Sequence, residues 1–277
     1  MTIKAFRLTV HENIPLNLSA STLDELTSQL SDGFYTTFST LSGGTRVLGL
    51  QAHLHRLYFP AAEMGLRPSV DEKTLRQRMG ELTRENLPQE TRIRLILAKD
   101  TGNVYVGYQP FIPVPEAVYR DGVHAVTADM ARHDPRIKGT DFITQSAEQR
   151  KLVKGDIYEI LLVHKGKILE GMTSNFYGVK YSKPQDNLVT AQKGILLGVT
   201  RQVVLRLARG QGMSIMYRSP RVDENLDEAF LTSSSRGVVP IVSIDGKPVG
   251  QGKVGEGAKT LRKLYQAYVE ERSERIV

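Results

Sequence analysis

The sequence predicts an α/β (α+β) fold class in two domains, and three observations carry that expectation. Strand-like alternation and helix-like spacing succeed one another along the chain, as mixed folds require. Of 277 residues, 40% are hydrophobic and 24% charged, which leaves enough apolar material for more than one core. A stiff stretch containing Pro110, Pro113 and Pro115 interrupts the pattern. It divides the chain into a small domain at 1–112, a linker at 113–119 and a large domain at 120–277.

Residues 21–30 (STLDELTSQL) open with a Ser/Thr cap and carry apolar residues at helical spacing, and Ser31-Asp32-Gly33 stops the helix. A strand at Phe34–Thr40 alternates aromatic residues with Thr, and a second at Val47–Leu50 follows Gly43-Gly44. His53–Leu66 reads as a helix through Leu54, Leu57, Tyr58 and Ala61, with a kink or a split at Pro60. Asp71–Glu85 is a polar amphipathic helix, and Thr91–Ala98 is a strand that sets Arg92 and Arg94 on one face. In the second half come a strand at Val123–Thr127 and a helix from Asp141 to about Val153. A hairpin then runs from Glu159–Val163 through Gly166 to Lys167–Leu169. A helix opens at Gly198-Val199-Thr200 and runs to about Arg209, and the last helix begins near Glu256.

The charge pattern argues against several function classes. The formal net charge is +7, yet basic residues are scattered, with no like-charge run and no nucleic-acid-binding motif, so no nucleic-acid partner is expected. No apolar run spans a membrane and the first residues lack a signal-peptide pattern, so a cytoplasmic, membrane-free protein is expected. The absence of cysteine excludes disulfides, thiolate nucleophiles and Cys-ligated metals. His53 and His55 point to different sides of their helix with no third ligand, so no metal is expected. Gly250-Gln251-Gly252-Lys253-Val254-Gly255 matches a dinucleotide fingerprint, but no second strand remains to complete the unit, and the glycines read as a turn.

Other residues do point to chemistry. Glu170 sits where the second hairpin strand ends, followed by Gly171 and a small polar cluster, Thr173, Ser174 and Asn175, suited to hydrogen-bonding a ligand. Lys138 stands at a strand-to-helix junction. The guanidinium of Arg56 can grip a phosphate or lie at the surface, and the residues alone leave both open. Arg94 in its apolar strand needs an anionic partner, either a substrate carboxylate or an internal acid. The helix opening at Gly198 offers free N–H groups and a favourable dipole to an anion.

Four segments, PRIK (135–138), YEILLVHKGKILEGMTSNFYGV (158–179), GILLGVTR (194–201) and FLTSSSRGVVPI (230–241), are each modest alone but specific in this order and spacing. Together they resemble the class IV aminotransferases, the fold type IV pyridoxal-phosphate enzymes, over nearly the whole chain from Gly33 to Gly255. That family includes branched-chain and D-amino-acid aminotransferases, R-selective amine transaminases and aminodeoxychorismate lyases. The resemblance implies two domains with the cofactor between them, a homodimer, and transfer of an amino group between an amino acid and a 2-oxo acid.

Carried over residue by residue, Lys138 is similar to the lysine that holds pyridoxal 5′-phosphate covalently and moves the substrate proton. Glu170 resembles the acid that pairs with the pyridine nitrogen, with Ser174 and Asn175 as neighbours of the ring and Leu188 as the apolar residue packed against it. Arg56, Val199, Thr200 and Ser234 resemble the phosphate-binding set. Ser234 and Ser235, with Arg94 or Tyr35, are similar to residues that hold the substrate carboxylate.

The chain departs from the family pattern at two places. Phe142 stands where many members carry Tyr or Arg, so no hydroxyl contact to the cofactor comes from there. Gly33-Phe34-Tyr35-Thr36-Thr37 replaces the branched-chain signature and resembles both the lyase and the D-amino-acid patterns, which leaves substrate identity open. Aminodeoxychorismate lyase is the alternative that Thr36-Thr37 favours and that Arg94 and Phe142 oppose.

Overall fold

The computed structural model describes residues 3–277. In chain order the elements are β1 (Lys4–Leu8), β2 (Asn13–Pro15), α1 (Leu23–Ser28), β3 (Gly33–Leu41), β4 (Arg46–Val47), α2 (Leu50–Glu63), α3 (Glu72–Arg84), β5 (Thr91–Ala98), β6 (Val104–Pro110) and α4 (Glu116–Asp121). There follow β7 (Val123–Asp129), α5 (Asp141–Gln145), α6 (Ala147–Arg150), β8 (Ile157–His164), β9 (Lys167–Gly171), β10 (Asn175–Lys180) and β11 (Asn187–Thr190). The chain closes with α7 (Val199–Gly210), β12 (Ser214–Tyr217), β13 (Glu228–Ser233), β14 (Gly237–Ile244), β15 (Lys247–Pro248), α8 (Glu256–Arg272) and β16 (Glu274–Arg275). No helix among the described residues is long and apolar enough to cross a membrane.

The first compact unit holds the residues up to Ile112 together with Ile137–Gln145 and Glu271–Val277. Its seven-stranded sheet runs β16-β4-β3-β5-β6-β1-β2. α2 lays Leu50, Leu54, Leu57 and Ala61 against this sheet, all within 2% of complete burial, and they join Phe34, Phe38, Ile93 and Leu95 in one core. Local chemistry fixes the helix starts: the side chains of Thr22 and Asp71 accept from Glu25 N and Thr74 N at 3.1 and 2.7 Å. Pro60 neither splits nor ends α2, which runs on to Glu63. It lies in the last turn, where a missing N–H removes only one bond. The expected strand at Val47–Leu50 shrinks to two residues because Gly49, with φ +64°, already starts α2 at Leu50.

The second unit comprises Pro113–Arg136 and Ser146–Glu270. Its sheet runs β12-β11-β10-β13-β14-β7-β8-β9, with β15 beside β14. β7 pairs in parallel with β8 and β14, whereas β8 and β9 form the expected hairpin. The turn of that hairpin is Lys165-Gly166, both at positive φ, and it places Glu170 opposite Leu162. The fingerprint-like glycine run forms a turn, with Gly250 and Gly252 at φ +55° and +69°. Past it, buried Glu228 accepts from Gly257 N and Ala258 N at 2.9 Å and so caps α8.

Two differences from the sequence reading matter for function. The helix expected from Asp141 to Val153 breaks at buried Ser146 into α5 and α6. The division into continuous segments 1–112 and 120–277 also differs, since Ile137–Gln145 and Glu271–Val277 pack with the first unit. Backbone pairing explains it, because residues 138–140 hydrogen-bond to the start of β3 and β16 pairs with β4.

His53, fully within the first unit, is bonded to Thr36 Oγ1 through Nδ1 at 2.7 Å and tilts against Phe38. Burial, then the charges of Arg56 and Lys138, hold its imidazole well below the ordinary value of 6.5. The unfolded chain therefore binds more protons at this ring once the pH drops below 6.5, so the stability that His53 contributes is lost as pH falls through that window. Melting temperatures taken from about pH 7.5 to about pH 5.5 should fall less steeply for His53→Gln than for the parent. Parallel profiles would contradict this account of the buried ring.

Candidate active site

In the first unit, Lys138 is fastened to the edge of β3 by backbone bonds. Tyr35 N donates to Lys138 O and Thr140 N to Gly33 O, both at 2.9 Å, and Phe34 and Gly139 form an antiparallel bridge. Gly33 N donates to Thr140 Oγ1 at 2.8 Å, which in turn donates to Asp32 Oδ1 at 3.3 Å. The lysine backbone is thus held as tightly as a strand residue. Its amine stands 4.6 Å from the centre of the Tyr35 ring, and Tyr35 is only 5% exposed. Arg56 lies one helical turn beyond His53 on α2, and the charges of Arg56 and Lys138 both act on that ring.

Of the two partners expected for Arg94, the structure holds the internal acid. Nη1 donates to Asp24 Oδ1 at 2.7 Å, Leu23 O at 2.8 Å and Thr27 Oγ1 at 2.9 Å, while Nε donates to Thr37 Oγ1 at 3.0 Å. The guanidinium also lies 4.9 Å from the Tyr35 ring centre. With Arg94 at 4% exposure, these bonds tie α1 to the sheet.

In the second unit, Glu170 is buried and doubly held. Arg132 Nε donates to Oε1 at 2.7 Å and Leu196 N to Oε2 at 3.1 Å. A carboxylate has about four lone-pair sites, so it can accept a further donor such as a ring N–H. Asn175 continues the connection, its Nδ2 donating to Leu196 O at 2.7 Å and its Oδ1 accepting from Gly198 N at 3.2 Å. One donor and one acceptor site of its amide are thus used on the loop. Ser174 donates to Glu159 Oε2 at 3.0 Å.

Gly198 is the N-cap of α7 and supplies no side-chain acceptor, so the helix start at Val199 and Thr200 keeps its donors for an anion. A Cβ at Gly198 would stand 2.2 Å from Asn175 Oδ1, so only glycine lets the loop close here. The hydroxyl of Thr200 lies 3.4 Å from that of Tyr265, a phenol that burial pushes up and keeps protonated. Ser234 and Ser235 sit partly exposed in the turn between β13 and β14. A glycine-capped helix start, a buried carboxylate and two hydroxyls form a donor and acceptor set that fits a phosphorylated, nitrogen-containing ring.

Leu188 lies in mid-sheet between Val179 and Ile215 at 0% exposure, with no surface to offer a ligand. Leu196 is bonded through its backbone to both Glu170 and Asn175. Arg132, Leu196 and Tyr265 were not legible as site residues. A buried Glu170 does demand a cation, but nothing in sequence separates Arg132 from the other 36 lysines and arginines.

Comparison with known proteins gives the family. The model of the class IV amino-transferases matches residues 33–244. The D-alanine aminotransferase of Bacillus licheniformis is 30% identical over 252 residues, covering 86% of this chain and 88% of that protein. The chain belongs to the class IV aminotransferases. The branched-chain-amino-acid aminotransferase of Pseudomonas aeruginosa is 25% identical over 251 residues, 80% of this chain and 78% of its own length. In fold, the branched-chain aminotransferase of the thermophilic archaeon Thermoproteus uzoniensis, solved with norvaline, superposes with a TM-score of 0.77 at 20% identity, over 100% of both chains. A branched-chain amino acid aminotransferase solved with pyridoxamine 5′-phosphate superposes with a TM-score of 0.81 at 19% identity, over 100% of this chain and 99% of the other. Class IV aminotransferases are pyridoxal-phosphate enzymes, so the fold and the enzyme class read from sequence hold.

Arg94→Leu should cost about 2 kcal/mol of stability, discounted for the half-exposed Asp24, and lower the denaturant midpoint. A variant as stable as the parent with a raised KM for carboxylate substrates would return Arg94 to the substrate side.

Proposed function

We propose that this class IV aminotransferase binds pyridoxal 5′-phosphate and moves an amino group between an amino acid, of the D-amino-acid or branched-chain kind, and a 2-oxo acid. The single observation that carries the reading is the loop 196–198, which joins Glu170 to the glycine-capped start of α7 through Leu196, Asn175 and Gly198. It sets an acid and an anion seat at a fixed spacing, which suits a molecule with a ring nitrogen at one end and a phosphate at the other.

When bound, pyridoxal phosphate supplies an electron sink for the charge left on the substrate Cα. Lys138 would hold the cofactor through its amine and, once the incoming substrate amine has displaced it there, would move the Cα proton. Glu170, paired with Arg132, would face the ring nitrogen and favour its protonated form. Val199 N, Thr200 and Arg56 take the phosphate, and Ser234 and Ser235 take the substrate carboxylate, with Tyr35 beside Lys138. The protein acts as a homodimer, as the family resemblance implies.

Half-reactions with D-alanine and L-leucine, followed at the cofactor's absorption bands, test the reading. Loss of the pyridoxal band with one donor supports it, and no change with either contradicts it. Arg56→Ala and Thr200→Val should each weaken cofactor affinity by about 1.5–3 kcal/mol, leaving the half-reaction rate at saturating cofactor close to the parent's. Equilibrium titration decides, and parental affinity in both variants would remove the phosphate assignment.

A further inference from the structure

Arg236 follows Ser235 in the turn between β13 and β14, and the chemistry above makes no use of it. Its guanidinium is nonetheless held on several sides. Nη2 donates to Glu159 Oε2 at 2.9 Å and to Thr173 Oγ1 at 2.6 Å, and Nε donates to Ser233 Oγ at 3.0 Å. The Arg236 carbonyl accepts from the Tyr119 hydroxyl at 2.8 Å, and the Tyr158 ring centre lies 5.5 Å from the guanidinium. Glu159, with a side chain 3% exposed, also accepts from Thr173 Oγ1 at 2.8 Å and Ser174 Oγ at 3.0 Å.

One ion pair with a buried carboxylate therefore touches three pieces of chain: β8 through Glu159, the turn after Glu170 through Thr173 and Ser174, and the end of β13, where the serine turn begins, through Ser233. Gly171 makes the closeness possible, since a Cβ there would stand 2.1 Å from Ser174 Oγ and 3.2 Å from Glu159 Cγ. Buried pairs are weak stabilisers compared with apolar packing, but their bonds are directional and fix position.

We propose that Arg236 is a positioning residue, whose pair with Glu159 fixes the turn presenting Ser234 and Ser235 relative to the turn that follows Glu170. The inference rests on the reading that those serines hold the substrate carboxylate. Because Arg236 is neutralised by Glu159, the substrate meets hydroxyl and amide donors there and not a free guanidinium.

The test compares the parent with Arg236→Gln and Arg236→Lys, measuring KM for amino acid and 2-oxo acid, kcat, and pyridoxal phosphate affinity by titration. Arg236→Gln should raise both KM values about tenfold with cofactor affinity unchanged, and Arg236→Lys, which restores the pair to Glu159, should recover part of the loss. If Arg236→Gln does not fold, Glu159→Gln is read by the same criteria. Parental KM values in a folded variant overturn the proposal, as does a joint fall in KM performance and cofactor affinity that lysine does not rescue. A parent that binds no pyridoxal phosphate overturns the functional reading and the clamp with it, whereas an active parent with an indifferent Arg236→Gln overturns the clamp alone.

Discussion

The pairing of residues 138–140 with the first residues of β3 is the constraint on which the catalytic reading depends. A lysine side chain is long and rotamer-rich, so its amine can be placed only if its backbone is fixed. Here the chain leaves β7, joins the first unit at Ile137, and departs again after Gln145. The bonds Tyr35 N to Lys138 O and Thr140 N to Gly33 O make that short visit equivalent to an added strand. Thr140 strengthens it by answering Gly33 N with its side chain. The same stretch of β3 carries Tyr35, whose ring meets the Lys138 amine and, through Arg94, the cluster that ties down α1.

The second unit solves a different problem, the holding of buried charge. Glu159 and Glu170 stand on the two strands of one hairpin, and each is answered by an arginine from elsewhere in the unit: Arg236 for the first and Arg132 for the second. Burying an ionised carboxylate is costly unless a cation answers it at hydrogen-bond distance. The arginines thus fix the position of each carboxylate.

Most of this fold was legible because its signals are local. β5 runs from Thr91 to Ala98 as expected, the Ser/Thr cap of α1 is Thr22, and the Lys165-Gly166 turn delivers Glu170 near a strand end. What escaped depends on partners distant in sequence. Arg132 is meaningful only beside Glu170, and Leu196 reaches the same acid from a loop through its backbone N–H. Arg94 offered two answers, and only the position of α1 chooses Asp24. The attachment of 137–145 to the first unit has no periodic signature either, since a strap three residues long is below the length at which alternation can be read.

The central claim is that Lys138 is the residue that bonds to the cofactor. Incubation with pyridoxal 5′-phosphate, reduction with borohydride and peptide mapping by mass spectrometry would test it directly. The account predicts one pyridoxyl label per chain, on the peptide that contains Lys138. A label distributed over other lysines, with Lys138 unmodified, would contradict it.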